Sequence, residues 1–360
     1  MTAHLDNHTV PSWDLFRKFT IEKRIAFFAL DRHPVHILYA RQFTRTFLDE
    51  LYILTNKIRL IAKTNHGKSW LSTLLENRRV MLYFAQPSTR TFLSFATACE
   101  TMGMRFYDVR SLETSSEMKG ETFEDTIRTF SSYFDLVILR HATPNYAEHA
   151  AIVLNRSRRP IPLINAGSSK DEHPTQALLD IFTLRKSFEK LGGLSRKTVM
   201  LVGDLKRGRT VRSLAVLLAQ FAPIHIIFCA PKELAIDDEI IAFLKDHNVT
   251  CTQTTDFEAN LPKTDAVYMT RTQSEYTDAK SLASSSKAYH TAAYTLTQKH
   301  LNHLKPNSII MHPLPRKNEI AREIDNDPRA MYWRQVRNGM WTRCALIAKI
   351  FNIEKKILDH

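Results

Sequence analysis

Apolar residues fall into two successive series of short runs along this 360-residue chain. The first series has β-rich runs at 79–85, 104–109, 135–140 and 161–165, parted by segments near 89–102, 121–134 and 145–155 that read as helices. The second has runs at 198–203, 224–229, 249–253, 265–269 and 308–311, with helical segments near 209–221 and 236–247 between the early ones. Strands alternating with helices predict parallel sheets, because each crossover helix returns the chain to the end where it started. The expected fold class is therefore α/β, with two doubly wound parallel-sheet domains joined by helices. One joining helix spans about 173–189 and ends at Gly192-Gly193; another, striped by Trp341, Leu346, Ile350 and Ile353, spans about 338–356 and returns to the first domain. Ahead of the first series, Phe47, Leu48, Leu51, Leu54 and Ile58 recur at helical spacing within 43–63, and Phe16 to Leu30 reads as an amphipathic helix. The expected division is an N-terminal extension of unassigned role at 1–40, a first domain at 41–188 plus 338–360, and a second at 189–337. Ser281 to Ser286 is small and polar, as expected of a mobile loop.

Composition narrows the classes. A 44% hydrophobic content supports a substantial core. No apolar run approaches the ~20 residues that span a bilayer. The N-terminus has no basic-then-apolar leader and carries acidic residues, so a cytoplasmic location is expected. Cys99, Cys229, Cys251 and Cys344 are widely spaced with no CxxC pair, which suggests neither zinc nor a disulfide framework. The formal charge of +13 points to anions. The basic residues are spread out and form no nucleic-acid module, which favours small anionic substrates over nucleic acid or membrane.

The candidate chemistry lies where strands end. Gln86-Pro87-Ser88-Thr89-Arg90-Thr91 follows an apolar strand and opens a helix. Unpaired backbone N–H groups, the positive end of the helix dipole, three hydroxyls and a guanidinium make that a ready phosphate or carboxylate site. The plainer alternative is an ordinary N-cap with a surface arginine. Leu136 to Arg140 ends in Arg140, at the sheet end that faces a ligand crevice in open α/β sheets. His173-Pro174-Thr175-Gln176 opens a helix with Pro174 at its first position, placing His173 and Gln176 on one face. Gly203 to Thr210 nearly matches the phosphate-loop pattern GxxxxGK[ST], but Arg209 stands where that loop needs lysine. The other reading is a helix-start arginine that clamps a carboxylate bidentately. Two more strands deliver Arg271-Thr272-Gln273 and His312-Pro313-Leu314-Pro315-Arg316, where prolines fix the backbone so that carbonyls project. In the loop 115–122, Gly120 and Glu121 serve a turn and a helix start, leaving Ser115 and Lys119 as anion contacts.

Together and in this order, Pro87 to Thr91, Lys119 to Thr122, Arg140-His141, His173 to Asp180, Gly203-Asp204, Gly208 to Thr210, Thr270 to Gln273 and His312 to Arg316 resemble the catalytic chains of aspartate carbamoyltransferases, over about 43–351. The resemblance implies an active site in the interdomain cleft. Carbamoyl phosphate would sit on Ser88, Thr89, Arg90 and Thr91, with Arg140, His173 and Gln176 about its carbamoyl end. Arg209, Arg271 and Gln273 would hold the carboxylates of L-aspartate, and the Pro313-Leu314 backbone would contact substrate. Ser115 and Lys119 would reach a neighbouring subunit's site, making a homotrimer with shared sites, and larger assemblies with regulatory chains stay open. Arg90, Thr91, Arg140 and His173 are the implied catalytic residues, with His173 held neutral by nearby arginines. Neither cofactor nor metal is implied, and the product, N-carbamoyl-L-aspartate, belongs to de novo pyrimidine biosynthesis. Gln86 and Ala96 stand where the family commonly has acids, and Tyr276 where it has arginine. The rival readings are a carbamoyltransferase with another acceptor, such as ornithine, and a catalytically silent scaffold on the same fold. Thr175 and Pro313 stand where ornithine enzymes typically have cysteine.

Overall fold

The computed structural model describes residues 10–111, 120–168, 172–271 and 293–360. The chain divides into two compact units, Met1–Thr175 with Gly339–His360, and Gln176–Asn338.

In the first unit, helices α1 (Trp13–Phe16) and α2 (Ile21–Phe27) precede strand β1 (His36–Ile37), α3 (Arg45–Ile61) and α4 (Asn65–Leu71). Then come β2 (Arg79–Phe84), α5 (Thr89–Thr101), β3 (Arg105–Val109), α6 (Phe123–Tyr133), β4 (Leu136–Arg140), α7 (Tyr146–Asn155) and β5 (Leu163–Asn165). The sheet is parallel throughout, in the order β1-β5-β4-β2-β3. Its central strand β4 is buried along its whole length, as its unbroken apolar run requires, while the edge strand β3 is half-exposed. From β2 the chain winds outward to β3, then crosses back over β2 to β4 and winds the other way to β5. The direction therefore reverses between β2 and β4, and a ligand crevice is expected beyond the carboxyl ends of those two strands.

Phe16 to Leu30 does not form the single helix expected. It breaks into α1 and α2, with Ser12 and Thr20 accepting from Leu15 N and Lys23 N at the two helix starts. Packing explains the break: Val10, Phe16, Phe28, Leu38 and Tyr39 are buried in the same cluster as Tyr83, Leu139 and Leu154. Arg24 Nη1 lies 3.0 Å from Glu148 Oε2, and the Tyr39 hydroxyl donates to Glu148 Oε1 at 2.6 Å. Through these side chains the segment 10–40 packs against this unit's core.

His36 carries a pH prediction. It is fully buried, and its Nε2 bonds Asn155 Oδ1 at 2.9 Å. Burial lowers its pKa to about 4, the Asn155 bond opposing this only in part. Between about 4 and its ordinary 6.5 the unfolded chain therefore takes up a proton that the folded chain does not. Stability must fall as pH drops through that window, by up to about 3 kcal/mol. Denaturant unfolding across the window is the check: His36→Gln should flatten the profile, and an unchanged slope would contradict the assignment.

The second unit has the rest of α8 (Pro174–Phe188), then β6 (Thr198–Val202), α9 (Arg209–Leu218), β7 (His225–Cys229), α10 (Asp238–Asp246), β8 (Thr250–Thr254), β9 (Ala266–Met269), β10 (Ile309–Met311) and the start of α11 (Tyr332–Ile350). Its parallel order β10-β9-β6-β7-β8 reverses between β6 and β9. Both sheets are parallel, as the alternating pattern called for, and the second has its five expected strands; the first has β1 in addition to the four expected.

The C-terminal helix differs from its expected span. α11 starts at Tyr332 rather than near 338 and stops at Ile350, before a short α12 (Glu354–Leu358). Its early turns carry no apolar stripe because Gln335 and Asn338 are buried through hydrogen bonds to Asp180 and Thr183. Its end follows from Asn352, whose φ of 54° is left-handed and breaks the helix.

Candidate functional site

At the first unit's reversal, Phe84 of β2 pairs with Arg140 of β4, and Gln86 N, two residues on, donates to Arg140 O at 3.2 Å. The Ser88–Thr91 turn and Arg140 therefore start from neighbouring strand ends. Ser88 takes the N-cap position of α5, but its side chain makes no capping hydrogen bond, and no acidic residue lies in the first turn. An ordinary cap would engage the hydroxyl. Here the first turn keeps its N–H groups and positive dipole for an outside anion. Arg90 is exposed and Thr91 buried.

Arg140 is buried and donates through Nη1 to Ala166 O at 3.4 Å. Beyond β5, Asn165 Oδ1 accepts from Gly167 N at 2.9 Å and Ser168 N at 2.8 Å, folding the loop tightly. Gly167 has a φ of +98°, and a Cβ there would lie 2.7 Å from His173 Cδ2 and 2.9 Å from Arg140 Nη1. That glycine is the floor on which the two candidate side chains converge. On the loop side, Glu172 Oε2 accepts from Ala40 N at 2.5 Å, tying the approach to His173 to the N-terminal segment.

At the second unit's reversal, the loop after β6 meets the end of β9. Gly203, with a φ of +114°, would place a Cβ 2.6 Å from Thr270 O. Thr270 Oγ1 in turn donates to Val202 O at 2.9 Å. Buried Asp204 accepts from Arg207 N at 3.1 Å, and Gly208 caps α9, so Arg209 is that helix's first residue. Arg209, which opens the helix after β6, is buried, and Arg271, just beyond the adjoining strand β9, is partly exposed. The near match to a phosphate loop is thus a helix start bearing arginine, in keeping with the carboxylate-clamp reading.

Asp180 joins the remaining candidates; it closes the His173 to Asp180 motif, where it was given no role of its own. It is fully buried; Oδ1 accepts from Gln176 Nε2 at 2.9 Å and Gln335 Nε2 at 2.7 Å, and Oδ2 from the Tyr268 hydroxyl at 2.8 Å. Burial first, and the Asp180 charge next, push the Tyr268 hydroxyl well above its ordinary pKa, so it stays a donor. Thr210, beside Arg209, bonds the same hydroxyl. Gln335 Oε1 accepts from His312 N at 3.0 Å, and His312 Nδ1 accepts from Leu314 N at 2.8 Å, fixing the Pro313-Leu314 turn. The sequence signals of Asp180 were its place in that motif and its position one helical turn after Gln176.

Ser115, Lys119 and Gln273 lie outside the described residues, as do Tyr276 and Ser281 to Ser286. Among the described residues no group of three or more His, Cys, Asp or Glu is arranged to hold a metal ion, and no helix is long and apolar enough to cross a membrane.

Each unit is a doubly wound module that presents arginine at its winding reversal, the form of a domain that binds small anions. Residues 35–186 match the carbamoyl-P binding domain of aspartate/ornithine carbamoyltransferases, and residues 195–350 match their Asp/Orn binding domain. The chain belongs to the aspartate/ornithine carbamoyltransferase family and is a carbamoyltransferase. It is 39% identical over 313 residues to the chloroplastic aspartate carbamoyltransferase of Arabidopsis thaliana, covering 86% of this chain and 76% of that protein. It is 39% identical over 317 residues to multifunctional protein pyr1-3 of Dictyostelium discoideum; that match covers 88% of this chain but spans only 13% of the relative's length. Among solved structures, Trypanosoma cruzi aspartate transcarbamoylase in complex with N-(phosphonacetyl)-L-aspartic acid is 33% identical with a TM-score of 0.75, over 87% of this chain and 94% of that one.

Proposed function

We propose that this chain transfers the carbamoyl group of carbamoyl phosphate to the α-amino group of L-aspartate, giving N-carbamoyl-L-aspartate and phosphate in de novo pyrimidine biosynthesis. The observation that carries the choice of acceptor is the pair Arg209, which opens the helix after β6, and Arg271, just past the adjoining strand β9, in the part that matches the Asp/Orn domain. Two guanidiniums suit a dicarboxylate and would repel the cationic side chain of ornithine.

Ser88, Thr89, Arg90 and Thr91 hold the phosphate. The neutral amine of aspartate attacks the carbamoyl carbon, forming the C–N bond and an oxyanion. Thr91, Arg140 and His173 donate to that oxygen, which is where preorganised donors lower the barrier most. The intermediate collapses by breaking the C–O bond to phosphate, and the amine's proton leaves with it or to solvent. Gln176 orients the carbamoyl amide, Gln273 adds to the carboxylate clamp, and the Pro313-Leu314 backbone completes the acceptor pocket. Holding two anions in register supplies much of the remaining rate. Ser115 and Lys119 act in a neighbouring subunit's site, so the working form is a homotrimer, in the cytoplasm.

N-(phosphonacetyl)-L-aspartic acid joins a phosphonate to a dicarboxylate and so tests both halves at once. Calorimetry is expected to give one saturable site per chain, weakened roughly 10- to 100-fold by Arg90→Ala and likewise by Arg209→Ala. Binding that neither substitution disturbs would overturn the site.

A further inference from the structure

A cavity of about 360 Å³ lies at the amino ends of β2, β4 and β5, the end of the first sheet opposite Ser88 and Arg140. Arg78, Asp135, Asn155, Arg159, Ile161 and Phe351 are among its lining residues. The charge on this lining does not cancel. Asp135 accepts from Arg78 Nη1 at 3.3 Å, Arg159 Nη2 at 2.6 Å and Arg79 N at 2.9 Å, so one carboxylate answers two guanidiniums. Arg159 is held in place by Ser131 O at 3.3 Å and Phe134 O at 3.0 Å, while the Arg78 guanidinium stands 5.4 Å from the Phe351 ring centre. Both arginines are half-exposed.

Behind them Asn155, only 2% exposed, is held by His36, whose Nε2 lies 2.9 Å from its Oδ1. The cavity is of the size of small-molecule sites, and its walls combine apolar and proline surface with these few polar groups, as such sites do.

We propose that this cavity binds a small organic oxyanion with an apolar body, its charged head on Arg78 and Arg159. A carboxylate or a phosphate monoester supplies that chemistry. Neither the site nor its test depends on the reaction proposed above.

Phenyl phosphate and benzoate are suitable probes, titrated by calorimetry into the full-length Arg90→Ala chain so that the catalytic phosphate corner contributes least. At least one should bind saturably at one site per chain, and which one binds separates the phosphate from the carboxylate source. Arg78→Gln should weaken that binding about tenfold or more, and Val35→Phe, which fills the cavity, should abolish it. Circular dichroism and thermal unfolding confirm that both variants fold. Failure of both probes to bind, binding indifferent to both substitutions, or inorganic phosphate binding as tightly as phenyl phosphate would each overturn the proposal.

Discussion

Arg90→Ala is expected to lower kcat/KM for carbamoyl transfer by roughly 10²- to 10³-fold, the size of effect seen when one preorganised donor is removed from an anionic transition state. Its stability should change by no more than about 0.5 kcal/mol, because Arg90 is exposed and fills no core space. The combination is diagnostic. The first turn of α5 has neither a side-chain cap bond nor an acidic residue, which suits the phosphate role proposed for it. Charge-assisted bonds to a phosphate are stronger than neutral ones, and losing the planar fork removes them without disturbing the helix. Steady-state kinetics beside a denaturant melt measure both quantities. Retained activity in a folded variant would remove Ser88–Thr91 as the phosphate corner.

Gly167→Ala should be as damaging, although Gly167 touches no substrate. The added Cβ would stand 2.7 Å from His173 Cδ2 and 2.9 Å from Arg140 Nη1, and the φ of +98° is one that alanine rarely adopts. Arg140 can swing its tip aside, but the His173 ring atoms have less room. Misplacing catalytic groups by about 1 Å can cost 10²-fold in rate, and the backbone strain adds about 1–3 kcal/mol of instability. We expect kcat to fall about 100-fold in a chain that still folds, measured at saturating substrates. Unchanged kcat would mean that Arg140 and His173 do not jointly serve the reaction.

Both predictions rest on features of unequal legibility in the sequence. The α/β series were readable because buried parallel strands are unbroken apolar runs, and each helix between them keeps its own period. The strand-end residues were readable for the same reason: once β2, β4, β6 and β9 were located, Ser88, Arg140, Gly203 and Arg271 necessarily stood at their carboxyl ends. What escaped depends on tertiary partners. β1 is two residues long, and α1 and α2 are shaped by burial of Phe16 and Phe28 against distant strands, which no local period reveals. The first turns of α11 were missed because Gln335 and Asn338 are polar yet buried, satisfied by Asp180 and Thr183. Gly167 and Asp180 follow the same rule. A glycine's positive φ and a carboxylate's three donors are properties of the folded neighbourhood.

Carbamoylation of L-aspartate is read out by phosphate release from carbamoyl phosphate, followed in parallel with L-aspartate and with L-ornithine and with the product identified by mass. The arginine pair Arg209 and Arg271 predicts phosphate release that depends on L-aspartate, with N-carbamoyl-L-aspartate as product and no acceleration by L-ornithine. Turnover with ornithine, or with neither acceptor, would contradict it.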